Sequence, residues 1–402
     1  MSLIKTRWRT IAIALGAGIV ASAHIGVVPA AIPSLRAELG INLVMAGWVV
    51  SMFSATTVGS GILVGVLADR IGYRFLLLVG LASLAIGALA GSLVQSEVQL
   101  LLSRLIEGIG FITILVSAPS IIAESATPTD RRFALGLWGT YMPTGLALGM
   151  IMAPPILSEW GWHAVWLASA ALSAVWFAFV AFGLRLPAGA SIAAPTGSWL
   201  EDVRLTLAQP GIWLLAVFFM FYAAQWMALM VWLPTFLVEE RHVSVSWAAI
   251  MTIAVVAMNC PGNVFGAWLL NRNVPRWILL SGSSVVVFVC AFGIFIGGLL
   301  PDAARYGLCL FFSFLTGVCP AAILSGAAVF RPSPRQTGAT NGFLIQGSNL
   351  GQLLGPPVMA ALVSFRGNWG AGLWIFMATG LAGTTLALLL KRAENRLSIK
   401  NS

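Results

Sequence analysis

The chain has 402 residues, of which 59% are hydrophobic and only 9% charged, with a mean hydropathy of +0.94. Soluble domains carry roughly a quarter charged residues, so this composition excludes a water-facing globule. A net charge of +9 suits a nucleic-acid partner only where cations cluster; here they stand singly between apolar blocks, which excludes that partner.

The apolar blocks run to roughly 20 residues, enough to cross about 30 Å of hydrocarbon as helix. Lipid-exposed backbone must satisfy its own hydrogen bonds, so each block is predicted helical. The alternation of an outer-membrane barrel is absent. In chain order the predicted spans are 10–33, 44–68, 75–94, 98–123, 133–157, 163–184, 211–236, 245–270, 277–299, 305–329, 338–363 and 370–390. Lys5, Arg7 and Arg9 followed by Ala21-Ser22-Ala23 imitate a signal peptide. That apolar run continues to about Pro33, too long for a signal sequence, and is read as an uncleaved first span. One long polar interruption, 186–208, separates six spans from six. The expected fold is therefore an all-α membrane protein: twelve transmembrane helices in two pseudo-symmetric six-helix bundles, 1–185 and 209–402, joined by a cytoplasmic loop at 186–208.

Orientation follows the distribution of Lys and Arg. With the N-terminus inside, the cytoplasmic set is Lys5, Arg7, Arg9, Arg70, Arg74, Arg131, Arg132, Arg185, Arg204, Arg272, Arg276, Arg331, Arg335, Lys391, Arg392, Arg396 and Lys400, which is 17 of 22. The far side holds Arg36, Arg241, Arg305 and Arg366, and Arg104 lies inside a span. Both termini are thus expected in the cytoplasm of a bacterial inner membrane. The halves also repeat: Pro128 and Arg131 recur 204 places on as Pro332 and Arg335, Asp69-Arg70 recurs 202 places on as Asn271-Arg272, and Gly145 and Gly149 recur 206 places on as Gly351 and Gly355.

Between the second and third spans stands Gly65-Val66-Leu67-Ala68-Asp69-Arg70-Ile71-Gly72-Tyr73-Arg74. Gly65 permits close helix contact, Gly72 a tight turn, and Asp69 can face the positive end of a neighbouring helix while Arg70 and Arg74 stay at the interface. This segment resembles the loop motif of the major facilitator superfamily, and the resemblance covers the whole chain. It implies a conformational latch built from Gly65, Asp69, Arg70, Gly72 and Arg74, with Arg131 and Arg335 in the later loops. The second copy, with Asn271 in place of the acid, is expected to latch more weakly. Arg104 to Gly110 is similar to the superfamily's fourth-helix motif. Together with Gln346 to Pro357, it is similar to the cyanate and nitroimidazole permease group. The fifth span, Gly139 to Gly149, lacks the adjacent Gly-Pro of proton-driven exporters.

Arg104 and Glu107 are three residues apart and share a helix face. Glu107 lies near mid-depth, so the pair either lines the solute pathway or neutralises itself as structure. His24, mid-way along the first span, is either a neutral hydrogen-bonded ring or a titrating one. Tyr141, Tyr222, Gln225, Trp226, Asn259, Gln346 and Asn349 complete the candidate pathway. Cys260, Cys290, Cys309 and Cys319 form no CxxC pair or Cys/His ligand set, so reduced thiols, no metal and no cofactor are expected. The three lysines follow no glycine, so no phosphate-binding loop exists, and HExxH and GxSxG are missing: neither an ATP-driven pump nor an enzyme is expected.

What remains is a secondary carrier, expected as a monomer in the bilayer, moving a small-molecule substrate by alternating access. Arg104 and a titratable His24 against one acid favour a small anion with the proton as coupling ion. The alternative is proton-antiport efflux of amphipathic drugs, with Glu107 exchanging the proton.

Overall fold

The computed structural model describes residues 5–184, 199–297, 300–332 and 336–401, and among these its side-chain description leaves out 62, 65–70, 132, 199, 202, 337–338 and 397–401. The described residues form helices with no strand among them. They divide into two compact units, Met1–Thr196 and Gly197–Ser402.

In the first unit α1 (Trp8–Leu39) is followed by α2 (Leu43–Ser51), α3 (Phe53–Ile71), α4 (Tyr73–Gly91), α5 (Glu97–Ser125), α6 (Arg131–Trp138) and α7 (Tyr141–Gly183). The second holds α8 (Trp199–Leu207), α9 (Pro210–Arg241), α10 (Val245–Ala257), α11 (Asn259–Asn271), α12 (Arg276–Phe295), α13 (Asp302–Thr316), α14 (Val318–Phe330), α15 (Thr337–Arg366) and α16 (Gly372–Asn401), with a 3-10 turn at Trp369–Ala371. Polar side chains cap some of the helices: Asn42 accepts from the Met45 amide at 2.8 Å, and Ser96 from that of Gln99 at 3.4 Å.

Among the described residues nine helices are long and apolar enough to cross a membrane, ten if the bent pair α2–α3 is one span. One of the nine, Phe133–Gly183, is 51 residues long and breaks into two arms at Gly161, whose φ of 74° belongs to glycine. Adding its second arm and the 30-residue α15 makes the architecture consistent with twelve spans. The outer faces suit lipid: Phe182 and Phe365 are each 85% exposed, an inversion of the soluble pattern.

Two of the predicted spans need correction. The second span is two helices bent by 48° at Met52, where the next helix restarts one residue on and the chain stays apolar through the break, whereas the eighth and tenth stand as single apolar spans, Val245–Asn271 and Asp302–Phe330. Hydropathy registers composition and is blind to such bends. The first helix reaches Leu39 rather than 33, ending where Gly40 turns left-handed at φ 66°, since helical hydrogen bonding outlasts the apolar stretch. The polar connection holds a short helix of its own, α8, in which apolar and charged residues are mixed.

The internal repeat has a physical form. In the first unit α1 packs along α7, α3 against α5, and α4 against α7; in the second α9 packs along α15, α11 against α14, and α12 against α16. A Cβ at Gly145 would run into the Ile19 carbonyl oxygen and one at Gly149 into that of Ala23; at Gly351 and Gly355 it would meet those of Met220 and Ala224. The repeated glycines are thus where the first helix of each unit lies directly on its partner. Ile19 and Ala23 stand 201 places before Met220 and Ala224.

Candidate functional site

A run of small residues lets α1 approach α7 and α5 closely enough to bury His24 between them. On α5, Glu107 lies between two close approaches: a Cβ at Gly87 of α4 would strike its side chain, and one at the next residue, Gly108, would strike the Phe53 carbonyl. Arg104 and Glu107 keep no exposed surface and His24 keeps 1%.

These three side chains form one cluster. Arg104 Nη1 donates to Glu107 Oε2 at 2.6 Å, and His24 Nδ1 meets the same oxygen at 2.7 Å. With Glu107 ionised, Nδ1 must carry a hydrogen, which leaves Nε2 facing Ser173 Oγ at 2.7 Å. That hydroxyl can donate to a neutral ring or accept from a protonated one. Arg104 Nε donates to the Val49 carbonyl in the last turn of α2 at 3.2 Å, where the helix dipole favours a cation. The guanidinium also lies 5.6 Å from the Phe53 ring centroid, beside the Met52 bend. Arg104 Nη2 and Glu107 Oε1, both buried, have no protein partner. With a neutral imidazole the cluster sums to zero; one added proton makes it a buried monocation.

The second unit holds an uncharged counterpart. Gln225 Oε1 on α9 accepts from Thr379 Oγ1 on α16 at 2.6 Å, and Trp226 Nε1 reaches Ser313 Oγ at 3.4 Å. Asn259, the first residue of α11, donates to the Ser313 carbonyl at 3.2 Å and accepts from Asn263 at 2.9 Å. Tyr222, also on α9, is buried in the core of the same unit. A close approach of the tenth span to the eighth brings these groups together, since Gly317 lies against the Asn259 carbonyl.

The family model of the Major Facilitator Superfamily matches residues 13–332. The chain belongs to that superfamily. It is accordingly a membrane transporter of small solutes and not an enzyme. It is 25% identical over 268 residues to a putative niacin/nicotinamide transporter of Bacillus subtilis (strain 168), covering 64% of this chain and 64% of that protein, so the match spans just under two thirds of the relative's own length. It is 24% identical to the hexuronate transporter of the same organism, covering 88% of this chain and 86% of the relative. Among solved structures, a bacterial homolog of the human lysosomal transporter Spinster superposes with a TM-score of 0.73 at 17% identity, covering 98% of this chain and 96% of that one.

In this superfamily member the candidates fall into separate groups. His24, Arg104 and Glu107 meet, and Ser173, which sequence reasoning missed, completes their shell. Its signal was available: Ser173 and Thr379 lie 206 places apart, as the repeated glycines do. Tyr222, Gln225, Trp226 and Asn259 gather in the second unit. Tyr141 stands apart, stacked on Trp138 at 4.3 Å beside Gly18. Gln346 is half-buried on α15, and Asn349 turns its amide to the Ile345 carbonyl at 2.9 Å. Of the latch residues, Gly72 turns the chain at φ 91° and Arg74 donates to the Ala181 carbonyl at 2.7 Å near the end of α7. Arg131 donates to the Ala123 carbonyl at 3.1 Å. Gly65, Asp69 and Arg70 lie in α3 with side chains outside the description, and Arg335 lies outside the described residues. All four cysteines are free thiols.

Proposed function

We propose that this transporter moves a small organic or inorganic anion together with a proton. The carrying observation is the buried Arg104–Glu107–His24 cluster, in which Glu107 is the sole buried carboxylate among the described residues. Glu107 Oε2 accepts from Arg104 and from His24, and a proton on either oxygen of this carboxyl would remove the negative charge that strengthens both hydrogen bonds and offsets Arg104. His24 Nε2 can take a proton without losing any, because Ser173 can turn from donor to acceptor. The protonated cluster is a monocation in a low-dielectric interior, where an unpaired charge costs several kcal/mol. A bound anion offsets that charge, and release of the proton removes the reason for the anion to stay. Direction then depends on the gradients alone. Two of the names printed for the relatives fit this substrate class, since niacin and hexuronates are small carboxylates, whereas nicotinamide, in the same relative's name as niacin, is uncharged.

The working arrangement in this reading is a monomer in a bacterial inner membrane, its two six-span halves, 1–185 and 209–402, joined through a cytoplasmic connection and its termini inside. The test is uptake of labelled nicotinate, glucuronate and nitrite into proteoliposomes with an imposed pH difference. Saturable flux driven by inward protons, abolished in Glu107→Gln and weakened at least tenfold in Arg104→Ala, is expected. Anion flux that persists in Arg104→Ala with unchanged affinity overturns the anion reading. A drug-resistance phenotype lost in Glu107→Gln, with no anion flux, replaces it with efflux.

A further inference from the structure

His24 on α1 meets Ser173 on the second arm of α7 at 2.7 Å. Gln225 of α9, 201 places on, meets Thr379 of α16, 206 places on, at 2.6 Å. The same two offsets link the Gly149–Ala23 contact to the Gly355–Ala224 contact, so both hydrogen bonds occupy one place in the two copies. A hydroxyl on the sixth span facing a polar side chain on the first is thus part of the duplicated scaffold. The second copy carries an amide that cannot take up a proton; the first carries an imidazole backed by Glu107.

We propose that Ser173 is the positioning residue of the proton site, holding the His24 ring with Nδ1 on Glu107 and receiving the Nε2–H bond that forms on protonation. The proton adds to the Nε2 lone pair, and the Ser173 hydrogen rotates away to a carbonyl one turn back in its helix, as helical serines commonly arrange. The copy displays both options at once, for Thr379 Oγ1 lies 2.6 Å from Gln225 Oε1 and 2.8 Å from the Ile375 carbonyl. Hydrogen bonds to charged groups are roughly twice as strong as neutral ones, so removing the hydroxyl penalises the protonated ring more than the neutral one.

The other charged and titratable groups around α1 do not compete for this role. From α5 they are Glu107 and Arg104, already in the cluster, and Glu97 and Glu124, which stand at the two ends of that helix. From α7, Tyr141 stacks on Trp138, and Glu159 and His163 stand at the Gly161 bend. Helix α2 carries none, and those of α4 and α6 (Tyr73, Arg74, Arg131 and Arg132) occupy the first two positions of their helices.

The inference rests on the proton-coupled reading for its role in transport, but its test does not need transport. Replacing His163 and His242 with Gln leaves His24 as the only histidine. In lipid nanodiscs its ring nitrogens can then be titrated by ¹⁵N NMR. The neutral ring should carry its hydrogen on Nδ1. Ser173→Ala should move the titration midpoint to lower pH by about one unit, the size expected for one charge-assisted bond, and Ser173→Thr should restore it. An unchanged midpoint in Ser173→Ala, or a failure of threonine to restore it, overturns the proposal. If the midpoint moves as expected while anion uptake ignores the pH difference, the role of Ser173 stands and the coupled-transport reading falls.

Discussion

One carboxylate oxygen, Glu107 Oε2, serves both Arg104 and His24, and that sharing sets the energetics of the site. Removing one partner leaves the other as an uncompensated buried charge, a loss of about 3–5 kcal/mol, whereas replacing both ions with apolar groups of similar volume is often neutral. Arg104→Leu alone should therefore lower thermal stability in detergent sharply, while Arg104→Leu with Glu107→Leu should recover most of it and still transport nothing. Melting curves of the purified variants check both. Each member of the cluster stood out in the sequence because an ionisable group within an apolar span is rare. Their meeting was not legible, since His24 and Glu107 are 83 residues apart and only tertiary packing joins them. Ser173 is one serine among many in these spans; nothing local marks it, and only the repeat offset does.

At the level of helices, the closest contacts are made by absent side chains. Gly149 on Ala23 and Gly355 on Ala224 bring backbones together where a Cβ would collide with a carbonyl oxygen. Gly149→Leu and Gly355→Leu are each expected to push the first helix of their unit off its partner and cost several kcal/mol, as overpacked cores do at about 1–3 kcal/mol per site and occasionally more. The yield of monodisperse protein after extraction measures this. An equivalent change at Gly136, where a Cβ meets nothing, should be tolerated. Glycine spacing made this pairing legible in advance, because equal offsets at two glycines imply equal contacts. The bend at Met52 was not legible: the residues around it are as apolar as the rest, and the bend is decided by what packs beside it.

For the whole molecule, the proposed twelve-span topology assigns 17 of 22 cationic side chains to one side, which by the positive-inside rule is the cytoplasm. Reporters fused at each end should both be active only inside the cell, and one active outside would reverse the proposed topology. The uncharged Gln225–Thr379 copy carries a final consequence for energetics. In the proposed proton-coupled cycle, one protonatable ring and no second buried acid among the described residues limit a turnover through this site to a single proton. A monovalent anion travelling with it makes the cycle electroneutral. The bilayer voltage, worth about 2.3 kcal/mol per charge at 100 mV, would then do no work on the cycle. Clamping proteoliposomes with potassium and valinomycin should leave monoanion uptake unchanged, while collapsing the pH difference should stop accumulation.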